Sequence, residues 1–572
     1  MKSRARRFLT ALALFLGLAV VPPPALAADT GTAEAGKPAG PASARSAVAA
    51  MQPGWNLGNT LDSTGADETS WGNPRVTREL LRSVRAQGFK SIRIPVTWSR
   101  HQGAAPSYTV DPAYLARVKE VVDWALDEDL YVLINVHHDS WQWVMNLPTQ
   151  HDAVLARYTA TWTQIAETFR DAPGKLLFES VNEPYFEGSS GDAQNAELMR
   201  ELNSTFHNLV RASGGRNATR LLVLPTLRSS PDQARVDELV DTFTALDDPN
   251  LVATIHYYGF WPFSVNIAGY TRFDATTQKD LTDTLDRLYN TFVAHGIPVI
   301  IGEYGLLGFD RSTGTIEQGE KLKFFEYLGN YARLRQLTTM LWDNGQHFHR
   351  SELRWNDPGL YRQLRSSWTV SSATAATDQV FVRKGQAPAD ARVALNLNGN
   401  GLTSIVHGSK ALVRGRDYSV DGDELTLPAA TLARLTASQE YGVNAVLSLR
   451  FSRGVPWDLN VITYEAPTLT GATGTTGSLV IPTAFRGDQL ATMEAVYADG
   501  TNAGPQDWTS YKEFGYTFAP DYTAGKITLQ SVFFDAVRDG STVTLTFHFW
   551  SGTTVKYRLT RSGTAVTGEP IA

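Results

Sequence analysis

The sequence predicts an α/β fold, a (β/α)8 TIM barrel followed by two small all-β sandwich domains. Between residues 47 and 366, eight short β-prone runs alternate with longer stretches of helical periodicity, from "GWNLGN" at residue 54 to "TTMLWDN" at residue 338. Beyond residue 366 short strands alternate with turns such as "VDGDEL". A doubly wound sheet is the alternative for the first region, but no Gly-rich phosphate loop follows its first strand.

The N-terminus has the pattern of a secretory signal peptide. Basic residues within the first seven positions precede an apolar run, and Ala25-Leu26-Ala27 is a small-residue cleavage site. We therefore expect residues 1–27 to be removed and the protein to be secreted and extracellular. Retention of the run as a membrane anchor is the weaker alternative, because the run is short for a span. Residues 28–46 are rich in Ala, Gly, Pro and Ser and predict a flexible leader.

Composition narrows the possible ligands. The 572 residues include 52 basic and 58 acidic side chains, a formal charge of −6, so no electrostatic feature favours nucleic acid or a membrane surface. The 14 Trp, 21 Tyr and 25 Phe provide rings suited to a neutral ligand such as a sugar, although most are expected in cores. The chain has no Cys, which excludes thiol catalysis and thiolate metal sites.

Reactive side chains follow the strands of the predicted barrel. Catalytic groups of such barrels lie at the C-terminal ends of the strands. The predicted strand-end residues are Arg93 on the second strand, His137 and His138 on the third, Asn182 and Glu183 on the fourth, His256 and Tyr258 on the sixth, Glu303 on the seventh and Trp342 on the eighth. Closure of the barrel would bring all of them to one mouth.

Two of these residues, Glu183 and Glu303, form the pair of carboxylates that glycoside hydrolysis requires. A retaining enzyme needs one protonated carboxyl group to release the leaving oxygen and one carboxylate to attack the anomeric carbon. We expect Arg93 and the Tyr258 hydroxyl to keep Glu303 ionised, and a less polar setting to keep Glu183 protonated near neutral pH. Asn182 is placed to contact the sugar 2-hydroxyl.

The motifs "GWNLGNTLD", "SIRIPVTW", "INVHHD", "ESVNEP", "IHYY", "IGEYG" and "LWDNG", in this order, resemble glycoside hydrolase family 5, and most closely its subfamily 4 of endoglucanases and xyloglucanases. The resemblance covers the whole barrel, residues 47–366. It implies a double-displacement mechanism on β-1,4-glucans, with Glu183 as acid/base and Glu303 as nucleophile. The implied substrate-binding residues are Arg93, His137, His138, Asn182, His256, Tyr258 and Trp342, and we add Asn59 of the first motif.

The remaining chain also resembles known modules. Residues 368–464, with "VALNLNGNGLTSIVHG" and "PWDLNVI", resemble the immunoglobulin-like X module of cellulases. Residues 465–572, with "AVYADGTNAGPQDW" and "VTLTFHFW", are similar to carbohydrate-binding module family 46. This second resemblance is looser, and it implies a tail that folds back to complete the catalytic cleft.

Several residues have a structural interpretation beside the functional one. Glu179 lies inside the fourth strand and is expected to pair with a basic neighbour in the barrel interior. His137 and His138 suggest a metal ion, but adjacent strand residues point to opposite faces, so a shared ion would require a bulge. Asp62, Asp139 and Asp343 follow strand ends and either touch substrate or cap a loop.

The aromatic residues divide in the same way. Trp55 and Trp457 are expected in cores, and stacking on sugar is predicted for some of Trp71, Trp98, Trp141, Trp143 and Trp261. In the tail, Trp508, Tyr511, Tyr516 and Trp550 are candidate ligand aromatics, although burial in a small core is the better expectation for each of them.

The sequence thus predicts a secreted, retaining endo-β-1,4-glucanase of cellulase or xyloglucanase type, a monomer with a β-glucan polysaccharide as its partner and with no metal or other cofactor. The alternatives within the class are a β-mannanase and a strictly xyloglucan-specific hydrolase, because residues around the reacting sugar say little about branches farther along the chain. The alternative of another class is a non-catalytic polysaccharide-binding protein, which would not need a pair of glutamates.

Overall fold

A computed structural model describes residues 43–571. The predicted signal peptide and nearly all of the predicted leader lie outside the described residues. The last part of the leader prediction is wrong, because a helix, α1, runs over Ala44–Ala50 and is capped by the Ser43 side chain, which accepts a hydrogen bond from the Ser46 backbone N–H. Among residues 43–571, no helix is long and apolar enough to cross a membrane.

The first region is a closed barrel of eight parallel strands in sequence order, and β1 pairs with β8 to close it. Each of the eight β-prone runs contributes one strand. The strands are β1 (Gly54–Asn56), β2 (Ser91–Ile94), β3 (Tyr131–Asn135), β4 (Leu176–Glu179), β5 (Leu222–Pro225), β6 (Leu251–Tyr257), β7 (Val299–Tyr304) and β8 (Thr338–Leu341). The predicted barrel is therefore confirmed.

Helices surround the barrel, and short helices lie in some of its loops. They are α2 (Arg78–Ala86), α3 (Pro112–Asp127), α4 (Asp139–Gln142), α5 (His151–Thr168), α6 (Asp192–Ala212), α7 (Gln233–Leu246), α8 (Trp261–Ser264), α9 (Ala275–Thr291), α10 (Gln318–Leu334) and α11 (Pro358–Ser367). The predicted Asp-Pro start of α3 is confirmed, since Asp111 accepts a hydrogen bond from the Ala113 N–H and Pro112 is the first helical residue. Gly296, at φ +86°, ends the short 3-10 turn after α9.

Two apolar clusters stabilise the barrel. The larger one lies between the strands and the outer helices and includes Trp55 and Trp162. The smaller one fills the N-terminal end of the barrel, where Val48 and Met51 of the α1 segment contact Leu133, Val223 and similar inward residues. Because α1 closes this end, the opposite end remains for a ligand.

The last two regions are built from strands, as predicted. The second region, residues 368–464, has a four-stranded and a five-stranded sheet around a core that contains Trp457. The third region, residues 465–571, has a ten-stranded sheet around a core of its own. After the small ribbon β9 (Phe348–His349) and β10 (Arg354–Trp355), the elements are β11 (Thr374–Ala375), β12 (Gln379–Arg383), β13 (Ala391–Asn396), β14 (Leu402–His407), β15 (Lys410–Ala411), β16 (Ser419–Asp421), β17 (Glu424–Leu427), α12 (Ala429–Leu435), β18 (Gly442–Phe451), β19 (Trp457–Tyr464), β20 (Thr468–Leu469), β21 (Ala472–Thr475), β22 (Ser478–Ala484), β23 (Leu490–Tyr497), β24 (Tyr511–Lys512), β25 (Phe518–Asp521), β26 (Lys526–Gln530), α13 (Ser531–Asp535), β27 (Thr542–Phe549), β28 (Thr554–Ser562) and β29 (Ala565–Pro570).

The third region contacts the barrel at the loop that follows β6. Asn266 donates a hydrogen bond to the Ala491 carbonyl at 2.9 Å and accepts one from the Phe514 N–H through its backbone oxygen. Arg311, in the loop after β7, forms an ion pair with Glu513. The third region is therefore attached at the same end of the barrel as the predicted site residues.

Candidate active site

The predicted site residues come together at the C-terminal mouth of the barrel. Several lie one or more residues beyond their strands, because β3 ends at Asn135 and β4 at Glu179. Glu183 is thus on a loop and not at the strand end, with a left-handed backbone conformation at φ +41°. Such a conformation is uncommon for a residue with a side chain, and strained backbone of this kind clusters at functional sites.

Arg93 is the centre of the site's hydrogen-bond network. Its guanidinium is fully buried and donates to both oxygens of Glu179, at 2.7 and 3.1 Å. It also donates to Glu303 at 2.7 Å, to the Asn182 side-chain oxygen at 2.7 Å and to Asn56 at 3.0 Å. Although burial works against its charge, the two carboxylates raise the pKa of Arg93. The expected pairing of Glu179 with a basic neighbour is confirmed.

Glu303 lies deep in the mouth, with its side chain only 6% exposed. Arg93 donates to its Oε1, and the Tyr258 hydroxyl donates to its Oε2 at 2.5 Å. Both donors stabilise negative charge on the carboxylate and fix its plane. These are the two partners that the sequence predicted for this residue.

Glu183 faces Glu303 from the open side of the mouth, and its side chain is 45% exposed. A carboxylate oxygen of each glutamate and a ring nitrogen of His256 all lie within 4.8 Å of one another. His256 Nδ1 is 2.8 Å from Glu183 Oε1 and 3.5 Å from Glu303 Oε2. The imidazole therefore stands between the two carboxylates.

This arrangement corrects the expected protonation of Glu183. Burial by itself would raise the pKa of its carboxyl group, but the hydrogen bond and charge of His256 outweigh burial and lower that pKa. Burial likewise acts to lower the pKa of His256, and the charges of Glu303 and Glu183 overcome it and raise that pKa. Both shifts favour His256 over Glu183 as the holder of a proton, which is opposite to the predicted protonation of Glu183.

An irregularity in the neighbouring strand β7 accompanies this position of His256. Ile255 pairs with Ile301 and His256 with Glu303, so Gly302 is the extra residue of a β-bulge in β7. The glycine also leaves space for the imidazole, because a Cβ at Gly302 would lie 3.2 Å from His256 Nε2. The bulge therefore sets Glu303 opposite His256 in the strand register.

His137 and His138 both border the mouth, with ring centres 4.4 Å apart. The expectation that they would point to opposite faces is wrong, because β3 has ended before them and strand alternation no longer applies. Asp62, His137 and His138 each place one ligand-type atom within 4.8 Å of the others. Their grouping therefore reopens the question of a shared metal ion.

The hydrogen bonds of the two rings favour donors over metal ligands. Asn135 Nδ2 lies 3.0 Å from His137 Nδ1, and Trp141 Nε1 donates to His138 Nδ1 at 3.0 Å. Since each Nδ1 faces an N–H donor, Nε2 carries a proton in both rings. Burial, followed by the nearby His138 and Arg93, lowers the pKa of His137 well below its ordinary value, so this ring is neutral. Such Nε2–H groups are suited to sugar hydroxyls.

Trp342 follows β8, and its ring is parallel to that of His137 with centres 6.0 Å apart. Gly58 makes room for it, because a Cβ at Gly58 would lie 2.8 Å from two Trp342 ring carbons. Asn59 adopts φ +55°, and its backbone N–H donates to Asp62 while its carbonyl accepts from Asn73. These contacts hold the loop, and substrate binding by Asn59 stays a prediction.

The loop aspartates serve as local caps. Asp139 accepts from the Trp98 N–H and from Trp143 Nε1, and Asp343 accepts from Trp55 Nε1 and from backbone N–H groups. Sequence reasoning missed Asn56 and Asn135, the last residues of β1 and β3, which orient Arg93 and His137. The sequence signal for both residues was a polar side chain at the end of an apolar strand.

The aromatic predictions had mixed outcomes. Trp55 and Trp457 are buried as expected, and so are Trp98 and Trp143, whereas Trp71, Trp141 and Trp261 are exposed. The expectation that the tail aromatics are buried is wrong, since Trp508 is 58% exposed and Tyr511, Tyr516 and Trp550 are half-buried. Trp71 and Trp141 lie beside His138, with ring centres 5.1 and 5.7 Å away, and extend the site along one wall.

Comparisons with known proteins agree with this architecture. The family model "Cellulase (glycosyl hydrolase family 5)" matches residues 57–348, "Carbohydrate binding domain X2" matches residues 374–461, and the carbohydrate-binding domain CBM46 matches residues 465–569. The chain therefore belongs to glycosyl hydrolase family 5, and it carries two carbohydrate-binding domains after the catalytic barrel.

Similar proteins share the full arrangement. The chain is 56% identical over 572 residues to endoglucanase B of Paenibacillus lautus, which covers 99% of both chains. A solved structure of the full-length tri-modular endo-β-1,4-glucanase B of Bacillus halodurans is 50% identical with a TM-score of 0.91, covering 93% of this chain and all of that one. A tri-modular subfamily 4 endo-β-1,4-glucanase of Bacillus licheniformis, in complex with cellotetraose, is 34% identical with a TM-score of 0.78 over 93% of this chain and all of that one.

Proposed function

We propose that this chain is a secreted, retaining endo-β-1,4-glucanase in which Glu303 is the nucleophile and Glu183 the acid/base. The observation that carries the proposal is the separation of the two carboxylates, whose nearest oxygens lie within 4.8 Å. Retaining enzymes hold the two carboxyl groups about 5 Å apart and inverting enzymes about 6.5–9.5 Å, and the close approach of one oxygen from each glutamate favours the retaining arrangement. The endoglucanases at 56% and 50% identity support the substrate class.

The first step forms a covalent glycosyl-enzyme. Glu303, held by Arg93 and Tyr258, attacks the anomeric carbon as the bond to the leaving oxygen breaks. Glu183, on the open side, donates a proton to that oxygen. When the glycosidic oxygen reaches the site, the proton on His256 passes along the 2.8 Å hydrogen bond to Glu183.

The second step releases the sugar. A water molecule replaces the departed chain, and Glu183, now a carboxylate, accepts its proton while the water oxygen attacks the anomeric carbon. The bond to Glu303 breaks and the β configuration returns. The Nε2–H groups of His137 and His138 and the ring of Trp342 bind the reacting sugar, and Asn182, oriented by Arg93, donates to its 2-hydroxyl.

Azide rescue separates the two roles. We expect Glu303→Gly and Glu183→Ala each to lose activity on β-glucan. Azide should restore turnover of an aryl cellobioside with an activated leaving group, giving an α-glycosyl azide with Glu303→Gly and a β-glycosyl azide with Glu183→Ala. NMR of the products identifies the anomers. Undiminished hydrolysis by Glu303→Gly, or inverted product from the parent protein, would overturn the assignment and would favour an inverting or non-catalytic interpretation.

We further propose that the third region forms part of the substrate cleft. Trp261, on the loop after β6, and Trp508 of the third region are both exposed, with ring centres 6.4 Å apart. Arg272 of the barrel lies 4.9 Å from the ring centre of Trp550, and Arg311 lies 4.4 Å from that of Tyr516. These cation–π contacts hold the third region against the barrel loops. A polymer bound at the glutamates would thus extend onto aromatic rings of the tail.

Comparative rates test the polymer preference. Initial rates on carboxymethyl cellulose, mixed-linkage β-glucan, xyloglucan and glucomannan are measured for the parent and for Trp508→Ala. A selective loss on xyloglucan supports a cleft matched to branched chains, an equal loss on all polymers supports general contact, and an unchanged set of rates contradicts the proposal. A parent that prefers glucomannan favours the β-mannanase alternative.

Secretion and oligomeric state have direct tests. Expression in a bacterial secretion host should release a protein whose N-terminus is Ala28, the residue after the predicted cleavage site. Light scattering on that protein should give the mass of one chain. An uncleaved, membrane-bound product would contradict the secretion proposal.

A further inference from the structure

A second concave surface lies away from the barrel, between the second and third regions. This cleft has a volume of about 500 Å³ and is lined mainly by apolar and aromatic side chains. The second region contributes Phe381, Tyr441 and Val443, and the third contributes Phe485, Asp488 and Tyr522. Its volume falls in the range of ligand-binding pockets, about 300–1,000 Å³.

The walls of the cleft expose apolar surface that the fold leaves uncovered. Tyr441, Val443 and Tyr522 are among the few large apolar residues that are exposed in the described part of the chain, and all three line this one cleft. Exposed apolar residues that are clustered, as opposed to scattered singly, indicate an interaction site. Most large apolar residues elsewhere in the described chain are buried in cores, so this exposed cluster is unusual.

The two tyrosine rings are held in place before any ligand arrives. The Tyr522 hydroxyl accepts a hydrogen bond from the Leu490 N–H at 3.2 Å, and the edge of its ring packs on Phe485 with centres 4.7 Å apart. The Tyr441 hydroxyl contacts Glu465, and Lys384 Nζ lies 4.2 Å from its ring centre. Fixed rings lose little conformational entropy when a ligand stacks on them.

The floor of the cleft is rigid. Gly487, at φ +83°, approaches the second region so closely that a Cβ would lie 2.3 Å from the Thr463 carbonyl oxygen. The same position lies 2.6 Å from the Gly442 nitrogen, and the Glu465 N–H donates to the Arg486 carbonyl at 3.1 Å and holds the loop of the third region that carries Gly487. Because backbone contacts join the two regions here, the cleft is largely pre-formed.

The polar groups of the cleft suit a neutral ligand that carries hydroxyl groups. Gln379 and Gln489 line the cleft and carry neutral polar side chains. Asp488 also lines it, but its carboxylate is buried and accepts hydrogen bonds from the Gln489 and Ser551 N–H groups, so it presents no exposed charge. Arg486, the cationic lining residue, lies 3.8 Å from Glu465. Because Glu465 compensates the charge of Arg486, the cleft does not favour a charged ligand.

We propose that this cleft is a second glucan-binding site, which holds a β-linked glucan segment by stacking on Tyr441 and Tyr522 and by hydroxyl contacts with neutral side chains such as Gln379 and Gln489. The ligand class rests on the proposed function, since the polymer that the barrel hydrolyses is the neutral hydroxyl-rich ligand available to the protein. A site separate from the catalytic mouth would retain the polymer between cleavage events.

Binding by the inactive full-length chain tests this proposal. The Glu303→Gln protein and the same protein with Tyr441→Ala plus Tyr522→Ala are compared by affinity electrophoresis in gels with mixed-linkage β-glucan or xyloglucan. We expect the double substitution to weaken retention by about tenfold. The matched pair Val443→Ser and Val480→Ser supports the comparison, because both valines are exposed, at 56% and 45%, and only Val443 lines the cleft. Val443→Ser should weaken retention, and Val480→Ser should not.

The possible outcomes separate this inference from the proposed function. When the cleft substitutions are made in the active protein, which retains Glu303, it should hydrolyse cellotetraose at the parental rate, because the substituted residues lie outside the catalytic mouth. Unchanged retention in Val443→Ser and in the double variant would show an empty gap between domains and would overturn the second site. Failure of the parent to hydrolyse any glucan would instead overturn the proposed function. Thermal unfolding checks that each variant is folded, and Val443→Ser decides the matter if the double variant is not.

Discussion

Removal of one hydroxyl group, in Tyr258→Phe, is expected to slow hydrolysis strongly. This hydroxyl donates to Glu303 Oε2 at 2.5 Å, a short bond to a buried carboxylate. Hydrogen bonds to charged groups contribute about 1.5–3 kcal/mol. If the bond holds the carboxylate in its attacking orientation, its loss raises the barrier by a similar amount and lowers kcat/KM by roughly 10- to 150-fold.

The neighbouring residue provides a matched control. Tyr257 is also a tyrosine at the end of β6, and its hydroxyl donates to a carboxylate, Asp280, at 2.8 Å. Its side chain is on the outer face of the barrel, against α9. Tyr257→Phe should therefore cost stability, about 1 kcal/mol, and leave kcat/KM within about threefold of the parent, because the bond touches no reacting group.

Initial rates on mixed-linkage β-glucan and on an activated aryl cellobioside provide the assay, and chemical denaturation reports the free energy of unfolding. The aryl substrate isolates attack by Glu303, because its leaving group needs no protonation. Equal effects of the two substitutions on kcat/KM, or a Tyr258→Phe protein as active as the parent on the aryl substrate, would refute the reasoning.

Three further predictions concern packing, pH-dependent activity and pH-dependent stability. Gly58→Ala should displace the Trp342 ring, whose carbons would lie 2.8 Å from the new Cβ, and raise KM for short oligosaccharides by about tenfold. The alkaline limb of the kcat/KM profile should lie above pH 6.5, because Glu303 and Glu183 raise the pKa of His256, and His256→Asn should move this limb to lower pH. Glu326, buried beside the Ser371 and Ser372 groups that donate to it, has its pKa raised by burial to about 7, so the folded state binds its proton more tightly than the unfolded state. Stability should therefore fall as pH rises from about 4.5 to about 7, by up to about 3 kcal/mol, and Glu326→Gln should flatten this fall.

Each of these three predictions has a control or an outcome that would contradict it. Gly174→Ala is the control for Gly58→Ala, because an added Cβ there meets no atom within 4 Å, and an equal KM for both variants would contradict the packing argument. An alkaline limb that does not move in His256→Asn would place the shared proton elsewhere. Parallel stability curves for Glu326→Gln and the parent between pH 4.5 and 7 would show that this carboxyl group does not titrate there.

The sequence by itself determined the barrel and most of the candidate site. Strand periodicity and helix signals such as Asp111-Pro112 are local, so they survive without knowledge of the partners. Closure of a parallel barrel then brings every strand end to one mouth, which is why Glu183 and Glu303 were paired correctly across a long stretch of chain. The role of Glu179 followed from its position inside a strand.

Only the tertiary structure decided how charge is distributed among these groups. His256 is favoured over Glu183 as the holder of a proton because its imidazole lies between two carboxylates, and the β7 glycine at the bulge does not show which side chains meet there. The rings of His137 and His138 share a face because β3 ends early. The exposure of Trp508 and the cleft beside Tyr441 and Tyr522 depend on how the domains pack, and packing joins residues whose separation in sequence carries no signal.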